Sequence, residues 1–138
     1  MISDFIRGDI LDAPEIHVAF AIKAEGRNTT GLAQQVSTYY WHQLEHISNQ
    51  RLGEVLTHKD EDKTFHALVC YSDRPKGWEH TAQYVEQCLE LVIVPKYEPI
   101  AIALMGADIA SHLRGVHVYD ILGAIARSPK RFVVYRRF

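Results

Sequence analysis

Cysteine is scarce in this chain, limited to Cys70 and Cys88, each inside an apolar segment. No CxxC spacing occurs, so a disulfide framework is not expected, and the pair reads as buried thiols in a reducing compartment. A charge surplus is missing too. Fifteen Lys and Arg against seventeen Asp and Glu give a formal net charge of -2, which argues against a general electrostatic hold on nucleic acid. No apolar run approaches the length of a membrane span. The opening MISDFIRGDI has the pattern of neither a signal peptide nor a transit peptide, so a cytoplasmic location without membrane association is expected. Repeats, low-complexity segments and linkers are lacking, as are GxSxG, a Walker loop and a Cys/His zinc cluster. No metal or cofactor is therefore expected.

What is present is the balance of a globular chain, 47% hydrophobic and 23% charged over 138 residues. That length buries roughly two-thirds of the unfolded surface in one domain, taken as 1–138. Ile2 to Ile6 and Ile16 to Ile22 read as strands, the second so apolar that both of its faces must be covered. After KAEGRNTT, Thr29 or Thr30 is placed to cap a helix. Its buried side would carry Leu32, Val36, Tyr39 or Tyr40, Leu44 and Ile47. GEVLTH and KTFHALVCY flank the acidic turn HKDED as a hairpin. A second helix is expected from about Trp78 to Ile93, with Trp78, Ala82, Val85, Leu89 and Val92 on one side. PIAIALM reads as a further buried strand. Val118, Ile121, Leu122 and Ile125 mark a third helix ending near Ser128-Pro129, and RFVVYRR reads as the last strand. Helices alternating with strands around a mixed sheet make a three-layer α/β/α fold. Ligands of such folds sit beyond the carboxyl ends of the central strands, which selects RGDILDAPE, KAEGRNTTG and MGADIASHLRG.

These loops, in this order, make the chain resemble a macro domain, the ADP-ribose-binding module, and within it the terminal ADP-ribose protein glycohydrolase type. RGDILDAPE resembles the opening Gly-Asp-hydrophobic signature. FAIKAEGRNTTGLAQQV resembles the strand, loop and helix around the distal ribose and diphosphate. GEVLTHKDEDKTFHALVCYSDR resembles the hairpin before a long helix, and IALMGADIASHL the phosphate loop. The resemblance implies ADP-ribose, or an ADP-ribosylated protein, as partner. Asp9 would accept from the adenine amino group beside the Ile10 amide. Gly31, Leu32 and Ala33 would offer helix-start amides to the diphosphate, and Gly106, Ala107, Asp108, Ile109 and Ala110 would wrap it from the other side. Tyr135 or Phe138 would lie against adenine or its ribose. For Asp9 a turn residue bonding its own backbone is the simpler reading, and for Tyr135 it is sheet packing.

The chain departs from that pattern where catalysis would be done. A single Gly31 follows Arg27-Asn28-Thr29-Thr30, and Gly106-Ala107-Asp108 stands where Gly-x-Gly is usual. A carboxylate ~5 Å from a diphosphate charge costs about 3 kcal/mol at an effective dielectric of ~20. The family's lysine nucleophile falls at Asp73 or Arg74, and its aspartate at Ala110. Lys76 and Asp108 are the replacement pair for any ADP-ribosyl hydrolase activity. The alternative function is an interaction or assembly protein on a degenerate site. The segment TYYWHQLEH suggests it, because it offers more aromatic surface than one helix face buries. Two other patterns have bland readings. His42-Gln-Leu-Glu45-His46 matches HxxEH on an expected helix, but no third ligand is evident. Phe132, Tyr135 and Phe138 lie among arginines, a composition that suits single-stranded nucleic acid.

Overall fold

The computed structural model describes residues 1–27, 31–105 and 116–137. Strands β1 (Ile2–Arg7), β2 (His17–Lys23), β3 (Val55–Lys59), β4 (Thr64–Tyr71), β5 (Ile100–Ala103) and β6 (Phe132–Arg136) form one sheet. Their order is β1-β6-β5-β2-β4-β3. Only the hairpin β3–β4 is antiparallel. Helix α1 (Gly31–Tyr39) covers one face, and α2 (Thr81–Leu91) with α3 (Val118–Arg127) covers the other. This is the expected three-layer α/β/α arrangement around a mixed sheet.

Burial on both faces explains the continuous apolar reading of the inner strands. In β2, Val18, Phe20 and Ile22 pack in the α1-side core with Ala33 and Val36, while Ala19 joins the α2/α3-side core. Phe65, Ala67 and Val69 of β4 face α1, and Leu68 and Cys70 face α2. Both cysteines are buried free thiols whose pKa values burial pushes up, that of Cys88 to about 12. The acidic hairpin tip closes through Asp60 N–H to Lys63 C=O at 2.8 Å. At the outer edge of the sheet, the Asp4 carboxylate accepts from the Phe5 N–H at 2.8 Å.

Two helices are shorter than their periodicity predicts. α1 ends at Tyr39 instead of running to Ile47, because after the ordinary i→i−4 bond from Tyr40 N–H to Val36 C=O the Trp41 N–H reaches back five residues to the same carbonyl. The chain then makes a separate 3-10 turn, His42–His46, that buries Leu44. Tyr40 rather than Tyr39 packs inward, against Phe65. Trp41 is buried and stacks on His58 at 5.2 Å, so TYYWHQLEH leaves only Tyr39 as a large exposed aromatic. The aromatic excess that suggested an association surface is thus largely core. α2 begins at Thr81, not Trp78, since Thr81 N–H and Oγ both bond to Trp78 C=O and make Trp78 part of a preceding turn. No described helix is long and apolar enough to cross a membrane.

Candidate functional site

The sheet parts at its centre. Pairing of β2 with β5 covers only His17–Ala19 against Ile100–Ile102, whereas β2 follows β4 to Lys23 and β5 follows β6 to Ala103. From β2 the chain moves outward to β4, and from β5 to β6. This is the switch point at which an open α/β sheet leaves a crevice. α1 opens there. Its first residue, Gly31, has φ +64, and a Cβ there would meet no described atom within 4 Å, so among the described residues its backbone is open to close approach.

On the β1/β6 side the crevice becomes a cleft enclosing about 160 Å³. That is small beside the 300–1,000 Å³ of a drug-sized site and suits one ring system. The cleft is lined by Gly8, Asp9 and Ile10 after β1, by Leu32 and Gln35 of α1, by Ala103 and Leu104 at the end of β5, and by Tyr135 and Arg137 at the end of β6. Asp9 starts the 3-10 turn Ile10–Asp12, and its Oδ1 accepts from Leu11 N–H at 3.0 Å. The simpler turn reading of Asp9 is therefore present, and it leaves the second carboxylate oxygen for a ligand. Tyr135 is 5% exposed, and its hydroxyl donates to Glu15 Oε1 at 2.8 Å. Burial, reinforced by that carboxylate, pushes its pKa up to about 12. The hydroxyl is engaged, so Tyr135 offers the cleft a fixed ring.

The structure thus brings together Asp9, Ile10, Leu32 and Tyr135, with Gly31 beside Leu32. It does not bring Lys76 to them. Lys76 lies in an exposed turn beyond β4, at φ +61, on a separate basin of about 570 Å³ lined also by Lys23, Asp73, Arg74 and Trp78. The ends of β1 and β4 are four strand spacings apart, roughly 19 Å at ~4.8 Å each, so only a ligand of dinucleotide size could touch both. The Lys76 turn is closed by Ser72 N–H to Gly77 C=O and Gly77 N–H to Arg74 C=O, at 3.0 and 2.8 Å. Glu25 ties it to the loop after β2, accepting from Ser72 Oγ at 2.5 Å and Asp73 N–H at 3.0 Å. Partial desolvation would raise the Glu25 pKa, but these hydrogen bonds outweigh it and the net shift is downward. Gly106, Ala107, Asp108, Ile109, Ala110 and Phe138, with the capping Thr29 or Thr30, lie outside the described residues.

Sequence reasoning gave no role to Gln35, Ala103, Leu104 and Arg137, and met Gly8 only as the glycine of the Gly-Asp signature. Two of them had a signal. Gln35 stands three residues after Leu32 on the same helix face, and Arg137 continues the two-residue alternation from Tyr135. The competing patterns do not assemble. His42 to His46 is a 3-10 turn, in which positions i and i+4 are roughly 120° apart rather than stacked. Among the described residues no group of three metal-ligating side chains occurs. Phe132 is fully buried and Tyr135 is 5% exposed, lining only the small cleft, so the two form no open row of aromatics for single-stranded bases.

No protein-family model matches the sequence, and no curated protein does. Solved structures do match its fold. The macrodomain of Mycobacterium tuberculosis DarG superposes with a TM-score of 0.69 at 18% identity, covering 98% of this chain and 97% of that one. The macrodomain of Thermus aquaticus DarG gives 0.65 at 17% identity, with 99% and 98% covered. The IBV X-domain gives 0.59 at 10% identity, with 98% and 89% covered.

Proposed function

We propose, on the premise that this chain has the macrodomain fold, that it binds ADP-ribose or a related nucleotide-diphosphate derivative across the crevice between β2 and β5. The observation that carries the reading is the cleft at Asp9. A ring-sized space has an acceptor carboxylate at one wall, a fixed aromatic ring and aliphatic side chains around it, and an open glycine helix start nearby. Adenine would lie at Asp9, with its amino group donating to the carboxylate. The diphosphate would approach the amides at Gly31 and Leu32, and the distal ribose would extend toward the Lys76 basin. ADP-ribosylated protein is a partner of the same kind.

Binding, not hydrolysis, is the stronger part of this reading. Lys76 is exposed, whereas a nucleophilic lysine is a desolvated one. Titration calorimetry with ADP-ribose, ADP and NAD tests the proposal. Dissociation constants below millimolar are expected, and Asp9→Ala should weaken every adenine ligand about tenfold, the scale of one lost hydrogen bond to a charged group. Constants all weaker than about millimolar, ~4 kcal/mol, would overturn it in favour of an interaction protein on a degenerate site.

A further inference from the structure

We infer that the adenosine end of the cleft recognises an additional phosphate, so that the ligand class is an adenosine diphosphate derivative phosphorylated on the adenosine ribose, at its 2′ or 3′ oxygen. This rests on the binding reading above. It starts from the cleft's unusual pairing of Asp9 with Arg137. Both line the same small space, yet no ion pair joins them. With no ion pair between them, a ligand offering a donor to one and an anion to the other would satisfy both.

Arg137 is also part of a local excess. Arg7 and Arg136 are direct neighbours in the β1–β6 register, and all three arginines are exposed. None has an ion-pair partner among the described residues. Like charges in register on adjacent strands are destabilising, and no ion pair among the described residues offsets them. Arg7 and Arg136 lie on the reverse face of the sheet from Tyr135, so they contribute field, while Arg137 contributes contact.

The ligand's own diphosphate does not account for these charges. Its partners in the binding reading are helix-start amides at the β2–β5 crevice, and Arg137 follows β6, one to two strand spacings (roughly 5–10 Å) toward the nucleoside side. A group at that position is attached to the adenosine ribose. A guanidinium there selects a phosphate monoester through paired charge-assisted hydrogen bonds, which a lysine could not reproduce in geometry.

The experiment is calorimetry with ADP-ribose and ADP-ribose 2′-phosphate as a pair. Adenosine 2′,5′-bisphosphate and 3′,5′-bisphosphate are used to fix the position of the extra phosphate. For the intact chain the phosphorylated member should bind about tenfold tighter, and the advantage should shrink as salt rises. Arg137→Ala should bring the ratio within a pair to about one, and Arg137→Lys should restore only part of it. A ratio near one in the unmodified protein overturns the inference while the binding reading stands. A ratio that survives Arg137→Ala also overturns it, even if both affinities fall, because Arg137 would then serve the diphosphate. If no member of the set binds, the inference and the binding reading fall together.

Discussion

His66 should make the fold measurably sensitive to mild acid. It sits in β4, 1% exposed, with Nε2 at 3.0 Å from His17 Nδ1 and Nδ1 at 3.4 Å from Thr57 Oγ1. Burial first, and the neighbouring His17 second, lower its pKa from 6.5 to about 4. His17 is itself lowered by burial, against the pull of Glu98. Between pH 6.5 and 4 the unfolded chain therefore binds a proton at this position that the folded chain refuses. Stability is full above the unfolded value and falls as pH drops through that window, by about 3 kcal/mol in total for a shift of this size. From pH 7.5 to 5, where most carboxylates remain ionised, the loss is about 2 kcal/mol. With a urea dependence of ~2 kcal/mol/M, the unfolding midpoint should move down by roughly 1 M. The comparison is with His66→Leu, which keeps an apolar side chain in the layer and cannot take the proton. Its absolute stability matters less than its slope, which should be flatter by that amount over the same interval. Identical slopes for the two proteins would show that the imidazole ionises freely inside the sheet, and the reasoning from burial would be wrong.

Gly26→Ala should cost at least ~2 kcal/mol in denaturant unfolding, because φ is +82 and the new Cβ would sit 1.8 Å from Ile47 C=O. A variant with the parent's midpoint would mean that the loop after β2 is free to move away from Ile47 and Ser48. Tyr135→Phe should cost ~1–3 kcal/mol near pH 7 by leaving the buried Glu15 carboxylate without its donor. Because the Tyr135 pKa is raised, its stabilisation is complete below pH 10 and lost toward pH 12. The phenylalanine variant should lack that alkaline decline, and an unchanged stability curve would remove the Glu15 contact from the account.

The layers were legible in the sequence because periodicity reports burial, and burial here is nearly complete for β2, β4, β5 and β6. Helix ends were less so. Leu44 and Ile47 continue the helical spacing of Leu32 and Val36, and only the backbone reversal at Tyr40 and Trp41 separates them. Half of the cleft could be read from RGDI and the helix start, since a turn acid and a glycine have local signatures. Ala103 and Leu104 have none. They line the cleft because β5 parts from β2, and strand register is a long-range property that no short motif records. Glu15 was read only as part of a polar turn, and its role depends on Tyr135, 120 residues away in the chain.

The position of β6 has a further consequence, in time rather than space. β6, Phe132–Arg136, the last of the described strands, does not add to an edge. It inserts between β5 and β1, the first strand. While the chain is being synthesised, β1 has no partner strand among the described residues until 132–136 emerge, although it precedes them by more than 120 residues. Its pairing, which sets Ile2 against Phe132, therefore carries a large loop-closure cost and belongs late in folding. Until then the edge of β5 is bare, with Ile100 and Ile102 on a strand ready to pair with any extended segment. β1 thus depends on residues 132–136 to join it to the sheet.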